Sequence, residues 1–170
     1  MIILGIDPGL ATIGVGLIER GTAKNDLRLL DCCTIETAKG FSLPARLKEL
    51  AGDLRGFLRE HKPDLAVVEK LYFQTNVKTA MDVAAARGVI LLTLAEERVE
   101  ILEPTPLELK SAVTGDGRAD KKQVSDMLRH ILHLPEGSLL KERDDTTDAV
   151  ALAVYGAISG NLTLRKEVVR

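Results

Sequence analysis

The chain opens with an unbroken apolar run from Ile2 to Ile6, closed by Asp7-Pro8-Gly9, and resumes from Thr12 to Glu19 in a run that carries Gly14 and Gly16. Short apolar runs bounded by turn residues predict two strands joined as a hairpin. Leu27 to Glu36 predicts a third strand. At Ser42-Leu43-Pro44 the period changes. Serine reads as an N-cap and proline as an early helical residue, and Leu47, Leu50, Leu54, Phe57 and Leu58 then recur on one helical face as far as His61.

Pro63-Asp64 stops that helix, and the continuous apolar run from Leu65 to Val68 predicts a strand covered on both faces, hence one with a parallel partner. From Asn76 to Glu97 the pattern is helical again. Val83, Ala84, Ala85, Ala86, Val89, Ile90, Leu91, Leu92 and Leu94 surround it almost completely, which predicts a helix packed on two sides. Val99 to Leu102 supplies a fifth strand, and Pro104 and Pro106 introduce a short helix near Leu107 to Val113. Thr114-Gly115-Asp116-Gly117 is a loop, and helices follow at Ala119 to His133 and Asp144 to Ser159. This order predicts an α/β fold, a five-stranded mixed sheet with helices on both faces.

With 170 residues and 45% hydrophobic content the chain holds material for one core, so residues 1–160 are expected as a single domain and 161–170 as a C-terminal tail. Lys and Arg number 23 against 25 Asp and Glu, a net charge of −2, so any nucleic-acid surface must be a local basic stripe on an acidic body. Cys32 and Cys33 are adjacent. A disulfide between them would be strained, and they read as small buried hydrophobes in a reducing cytosol. No basic leader precedes the first strand, and every apolar run breaks before the roughly 18 residues that suggest a membrane span, so a cytoplasmic protein without a membrane partner is expected.

The candidate chemistry is acidic. Asp7 and Glu69 each follow an apolar strand, and in open α/β sheets sites collect beyond the carboxyl ends of strands. Alone, Asp7 reads equally as turn punctuation and Glu69 as a first solvated position. If the two strands run parallel side by side, both carboxylates emerge at one edge. Asp144 suits a helix N-cap, whereas Asp145, Asp148, Ala149, Leu152 and Gly156 share the stripe that faces the core. Like charges gathered there are costly unless divalent ions offset them. Two ions about 4 Å apart would support in-line attack on a phosphodiester. No Ser/His/Asp or Cys/His constellation competes.

Ile3-Leu4-Gly5-Ile6-Asp7-Pro8-Gly9, Val68-Glu69, Ala86-Arg87-Gly88-Val89 and Asp145-Thr146-Thr147-Asp148-Ala149, in this order, resemble RuvC-type Holliday junction resolvases over nearly the whole chain. The resemblance implies an RNase H-like fold and a homodimer that makes paired symmetric nicks in four-way DNA junctions with Mg²⁺ or Mn²⁺. It further implies the branch-migration proteins RuvA and RuvB as partners. Carried over by motif, the catalytic metal ligands are Asp7, Glu69, Asp145 and Asp148. Lys110 and Lys121 fall on the family's phosphate-holding positions, with Arg118 and Lys122 extending the stripe, although composition alone reads such residues as solvated surface.

Tyr72 and Phe73 follow Glu69 into a loop, where the resemblance suggests stacking on an unpaired base; a hydrophobic staple onto the next helix is the alternative. Gly9, Gly14 and Gly16 permit a phosphate-approach hairpin or packing space beneath a helix. The first reading is shared with actin-like sugar kinases and chaperone ATPases, which the chain resembles over its first hairpin. Those proteins need a second related subdomain and a second Gly-rich loop, and neither fits. A non-catalytic junction-binding protein would need no convergent carboxylates. The 76–97 helix is the expected two-fold interface, with Val83 or Ile90 facing outward.

Overall fold

The computed structural model describes residues 1–23, 26–70, 77–135 and 144–159, the side chains of 77–79 and 144 excepted. In chain order the elements are β1 (Ile2–Asp7), β2 (Thr12–Arg20), β3 (Leu27–Glu36), α1 (Leu43–His61), β4 (Leu65–Val68), α2 (Val77–Glu96), β5 (Glu100–Leu102), α3 (Pro106–Thr114), α4 (Lys121–Ile131) and α5 (Asp144–Ser159). The strands form one sheet in the order β3-β2-β1-β4-β5. β1 is antiparallel to β2 and parallel to β4, and β5 extends the parallel half. The strands too apolar for an edge thus occupy the middle, and the expected mixed sheet is the observed one.

Alternation along the strands divides the core in two. Ile3, Leu65 and Val67 face a cluster made with α3, α4 and α5, whereas Leu4, Ile6, Ala66 and Val68 face one made with α1 and α2. Successive side chains of a strand point to opposite faces, so a run apolar at every position is what a strand between two helical layers requires. Cys32 packs against the first cluster and Cys33 against the second; both are half-buried, with Cys33 held above its ordinary pKa by burial, then by Asp31 and Cys32.

Several boundaries have a local cause that periodicity does not express. Ser42 is the N-cap of α1, but its side chain makes no capping hydrogen bond; the helix ends at a left-handed Lys62, whose amide donates to the Leu58 carbonyl. Thr105 with Glu108 and Asp120 with Gln123 form capping boxes that start α3 and α4. α4 therefore begins at Lys121 rather than Ala119, and it ends at Ile131, ahead of a left-handed His133.

α2 presents one face to the core of the chain. Ala86, Ile90, Thr93 and Leu94 form one buried stripe, while Met81 and Leu92 are 73% and 59% exposed. Ile90 is wholly buried against the sheet, so it is not an outward residue, and Val83 is only half-buried. Among the described side chains of α2, the large apolar ones that face outward are Met81 and Leu92, which a helix ringed with apolar side chains does not distinguish by sequence.

Candidate active site

β1 and β4 lie in parallel register with Ile6 opposite Val68, and each is followed by an acid, Asp7 and Glu69. Parity then sets their direction. Gly5 and Asp7 continue the face of Ile3, and Glu69 continues that of Leu65 and Val67, so both carboxylates belong to the α5 side of the sheet.

That side is built for close approach. Gly5 pairs with Gly16 and Asp7 with Gly14 across the β1–β2 ladder. A Cβ on Gly5 would overlap the backbone of Ala149 and Ala153, one on Gly14 would overlap the Asp145 carbonyl, and one on Gly16 would stand 2.7 Å from the Val150 nitrogen. Of the two readings open for Gly14 and Gly16, packing space beneath a helix is the one realised. Gly9 instead serves its own turn, where a Cβ would run into the Thr12 carbonyl. With α5 lying on backbone rather than on side chains, Asp145 and Asp148 of its first turns come down beside the strand-end acids.

The electrostatics follow from that convergence. Asp7 is pushed up from 3.8 to about 7, chiefly by burial and then by Asp148, Glu69 and Asp145, against the opposing pull of Lys121. Glu69 is also raised, by burial first and Asp148 second, with Lys110 and Lys121 pulling the other way. The Lys121 ammonium stands 3.4 Å from Asp148 Oδ2. Asp7, Glu69, Asp145, Asp148, Lys110 and Lys121 therefore share one rim, although α3, α4 and α5 reach it from distant parts of the chain.

Among the described residues no three acids close into a ready coordination sphere. The donor set nevertheless fits a hard divalent cation, because carboxylate oxygens suit Mg²⁺ or Mn²⁺ and Asp7 carries the mark of a site short of positive charge.

The remaining expected positions are less concentrated. Lys122 turns to Asp126 on its own helix, 3.1 Å away, and Arg118 is exposed in the loop entering α4. Tyr72 and Phe73 lie outside the described residues.

Two arginine clamps lie outside the expected set of site residues. Arg46 donates to the Leu10 carbonyl at 3.2 Å and to the Thr37 hydroxyl at 3.0 Å, while that hydroxyl donates to the same carbonyl at 2.6 Å, pinning the turn after Asp7. Arg87 donates through Nε to the Glu69 carbonyl at 3.0 Å and pairs with the Glu103 carboxylate. A signal for the second clamp existed: Arg87 is the lone charged residue between Asp82 and Glu96, and Glu103 follows an apolar strand as Asp7 and Glu69 do.

A family model described as crossover junction endodeoxyribonuclease RuvC matches residues 3–156. A protein of that name from Alkaliphilus oremlandii is 44% identical over 163 residues, 96% of each chain. Among solved structures, RuvC of Thermus thermophilus superposes with a TM-score of 0.85 at 28% identity, covering 95% of this chain and 96% of that one. The same protein in complex with Holliday junction substrate gives 0.85 over 94% of both chains.

Proposed function

The chain belongs to the RuvC family of crossover junction endodeoxyribonucleases, and on that premise we propose that it resolves four-way DNA junctions by paired symmetric nicks in homologous recombination and DNA repair. One observation carries the site assignment: carboxylates from three separate segments converge, with Asp148, Glu69 and Asp145 raising the proton affinity of buried Asp7 and Asp148 raising that of Glu69, on a rim that also holds Lys110 and Lys121. A structural ion-pair network would match acids to bases, whereas here Asp7 is left with a surplus of negative neighbours.

Asp7, Glu69, Asp145 and Asp148 are the residues that hold divalent metal, two Mg²⁺ or Mn²⁺ ions per site. When bound, such ions make water a stronger nucleophile and stabilise charge on the phosphodiester oxygens. The protein's own contribution is placement. Short central strands and a helix seated on glycines fix the carboxylates, and the lysine ammonium groups draw the scissile phosphate toward them.

Lys110 and Lys121 contact phosphates next to the cut, with Arg118 and Lys122 continuing the path of the DNA backbone. Tyr72 or Phe73 stacks on a base at the junction centre. The protein works as a homodimer, since paired nicks need two opposed sites, and the exposed Met81 and Leu92 of α2 suit an apolar two-fold contact. RuvA and RuvB are its partners by family. No helix among the described residues is long and apolar enough to cross a membrane, and we assign the protein to the cytoplasm, where its substrate lies.

The deciding experiment compares an immobile four-way junction with its separate linear duplex arms, with and without Mg²⁺ or Mn²⁺. Symmetric nicks in the junction alone, dependent on the ion, are expected. Equal cutting of the linear arms, or none of the junction in either metal, would overturn the proposal.

A further inference from the structure

We propose that Arg87 is a positioning residue that fixes Glu69 through its backbone from the opposite side of the sheet, with Glu103 holding Arg87 in place. The inference rests on the assignment of Glu69 to the nuclease site and goes beyond it, because Arg87 lies on α2, in the layer that carries none of the clustered acids.

The three parallel strands all end in an acid, Asp7, Glu69 and Glu103. They do not end on the same face. Val67 pairs with Leu102, and both belong to the α5 side, so Glu103 continues the alternation toward α2, where Arg87 meets it. Glu69 points its carboxylate to the α5 side, but its carbonyl leaves the ladder just after the last β1–β4 pair, Ile6 with Val68. A carbonyl that leaves the sheet in a half-buried position needs another donor. Arg87 Nε supplies it at 3.0 Å, and the next amide, that of Lys70, donates to the Pro104 carbonyl at 2.9 Å. The peptide after Glu69 is thereby held on both sides, once to α2 and once to the segment after β5.

Arg87 is an unusual choice if packing were its only purpose. Its side chain is 18% exposed in a helix otherwise apolar from Val83 to Leu94 apart from Thr93. A partly exposed ion pair such as that with Glu103 contributes little net stability, so stability alone does not account for it. Glu103 neutralises the guanidinium, which limits the field Arg87 can impose on the carboxylates. Its effect on Glu69 is therefore geometric. Lysine keeps the charge but lacks the planar fork that reaches a carbonyl and a carboxylate together.

The test uses the full chain and the variants Arg87→Gln, Arg87→Lys and Glu103→Gln. Single-turnover nicking at saturating protein is measured on a four-way junction, junction Kd with the divalent ion withheld, the thermal midpoint, and amide hydrogen exchange at Lys70. Arg87→Gln is expected to slow nicking by about 10- to 100-fold, the scale of a displacement near 1 Å at a reacting centre. Kd and the midpoint should stay close to wild type, and Lys70 exchange should accelerate. Glu103→Gln should show a smaller form of the same pattern, and Arg87→Lys should recover only part of the rate. Wild-type nicking by Arg87→Gln, or a loss confined to Kd as for a phosphate contact, would overturn the inference. If Arg87→Gln fails to fold, wild-type nicking and Lys70 exchange in Glu103→Gln would overturn it equally. Failure of the wild type to nick junctions would instead count against the nuclease assignment, while Lys70 exchange would still report on the clamp.

Discussion

The two faces of the sheet are covered by different means. On the α1 and α2 side, Leu50, Leu54, Ile90 and Leu94 are wholly buried and hold the helices off the sheet with side chains. On the α5 side, Gly5, Gly14 and Gly16 of the strands let the helix backbone lie where side chains would be. The difference separates two tasks. A side-chain layer supplies apolar burial and tolerates volume-conserving exchange. A backbone-to-backbone contact fixes the helix at one depth, and that depth brings Asp145 and Asp148 beside Asp7 and Glu69. Arg87 shows that the first layer still reaches the site, through a carbonyl rather than a side chain.

The largest expected effect would break the comparison on the α5 side. Asp7→Asn, Glu69→Gln and Asp148→Asn should each reduce junction nicking by at least about 100-fold, the scale of removing one preorganised charge-stabilising group, with junction binding retained. Asp145→Asn should follow the same direction. Leu50→Met, across the sheet, should nick at the wild-type rate. Retained nicking by Asp7→Asn in Mg²⁺ would remove it from the site.

A second effect is on stability and depends on pH. The folded pKa of Asp7 is raised, so its neutral form favours the fold. That contribution is complete below the unfolded value of 3.8 and is lost as pH rises through about 7. In chelator, Asp7→Asn should therefore be more stable than wild type. The gap should open across that window and level off above it at on the order of 4 kcal/mol, read from denaturation midpoints. A gap that shrinks as pH rises would contradict the charge cluster.

A third pair of variants sharpens the contrast between layers directly. Gly5→Ala adds a methyl group into the Ala149 backbone and should cost about 1–3 kcal/mol or more, whereas Leu54→Met should cost under about 1.5 kcal/mol. Urea unfolding separates them. Equal costs would mean that α5 can move away from the sheet at little expense, and nicking by Gly5→Ala would show whether the acids move with it.

The smallest effect concerns the rim. Lys110→Ala and Lys121→Ala should each make the salt dependence of junction binding shallower by about 0.9 in the log–log slope, the amount expected for one phosphate contact. Lys122→Ala should change it less, because Lys122 is already engaged by Asp126. Equal slopes for all three would return the lysines to ordinary solvated surface.

What the sequence determined by itself is the order of the elements and the acidic residues that end them. Periods of two and 3.6 are properties of neighbouring residues, and the continuous runs Ile2 to Ile6 and Leu65 to Val68 need two helical covers whatever the remaining topology is. Parallel pairing of those runs was legible for the same reason, and with it the shared edge of Asp7 and Glu69. The helix caps at Thr105 and Asp120 were equally local, yet they fall where turn residues are dense and the start is set by one side chain.

Only the tertiary structure decided the rest. Met81 and Leu92 face outward and Ile90 inward because one stripe of α2 meets the sheet, a choice that a helix apolar all round leaves open. Gly14 and Gly16 are seats for α5 because that helix returns across the sheet from the far end of the chain. Lys110 and Lys121 reach Glu69 for a similar reason. Arg87 clamps Glu69 because β4, α2 and β5 place a guanidinium, a carbonyl and a carboxylate within hydrogen-bonding reach. These contacts join residues far apart in sequence, and no local pattern encodes a distance across the fold.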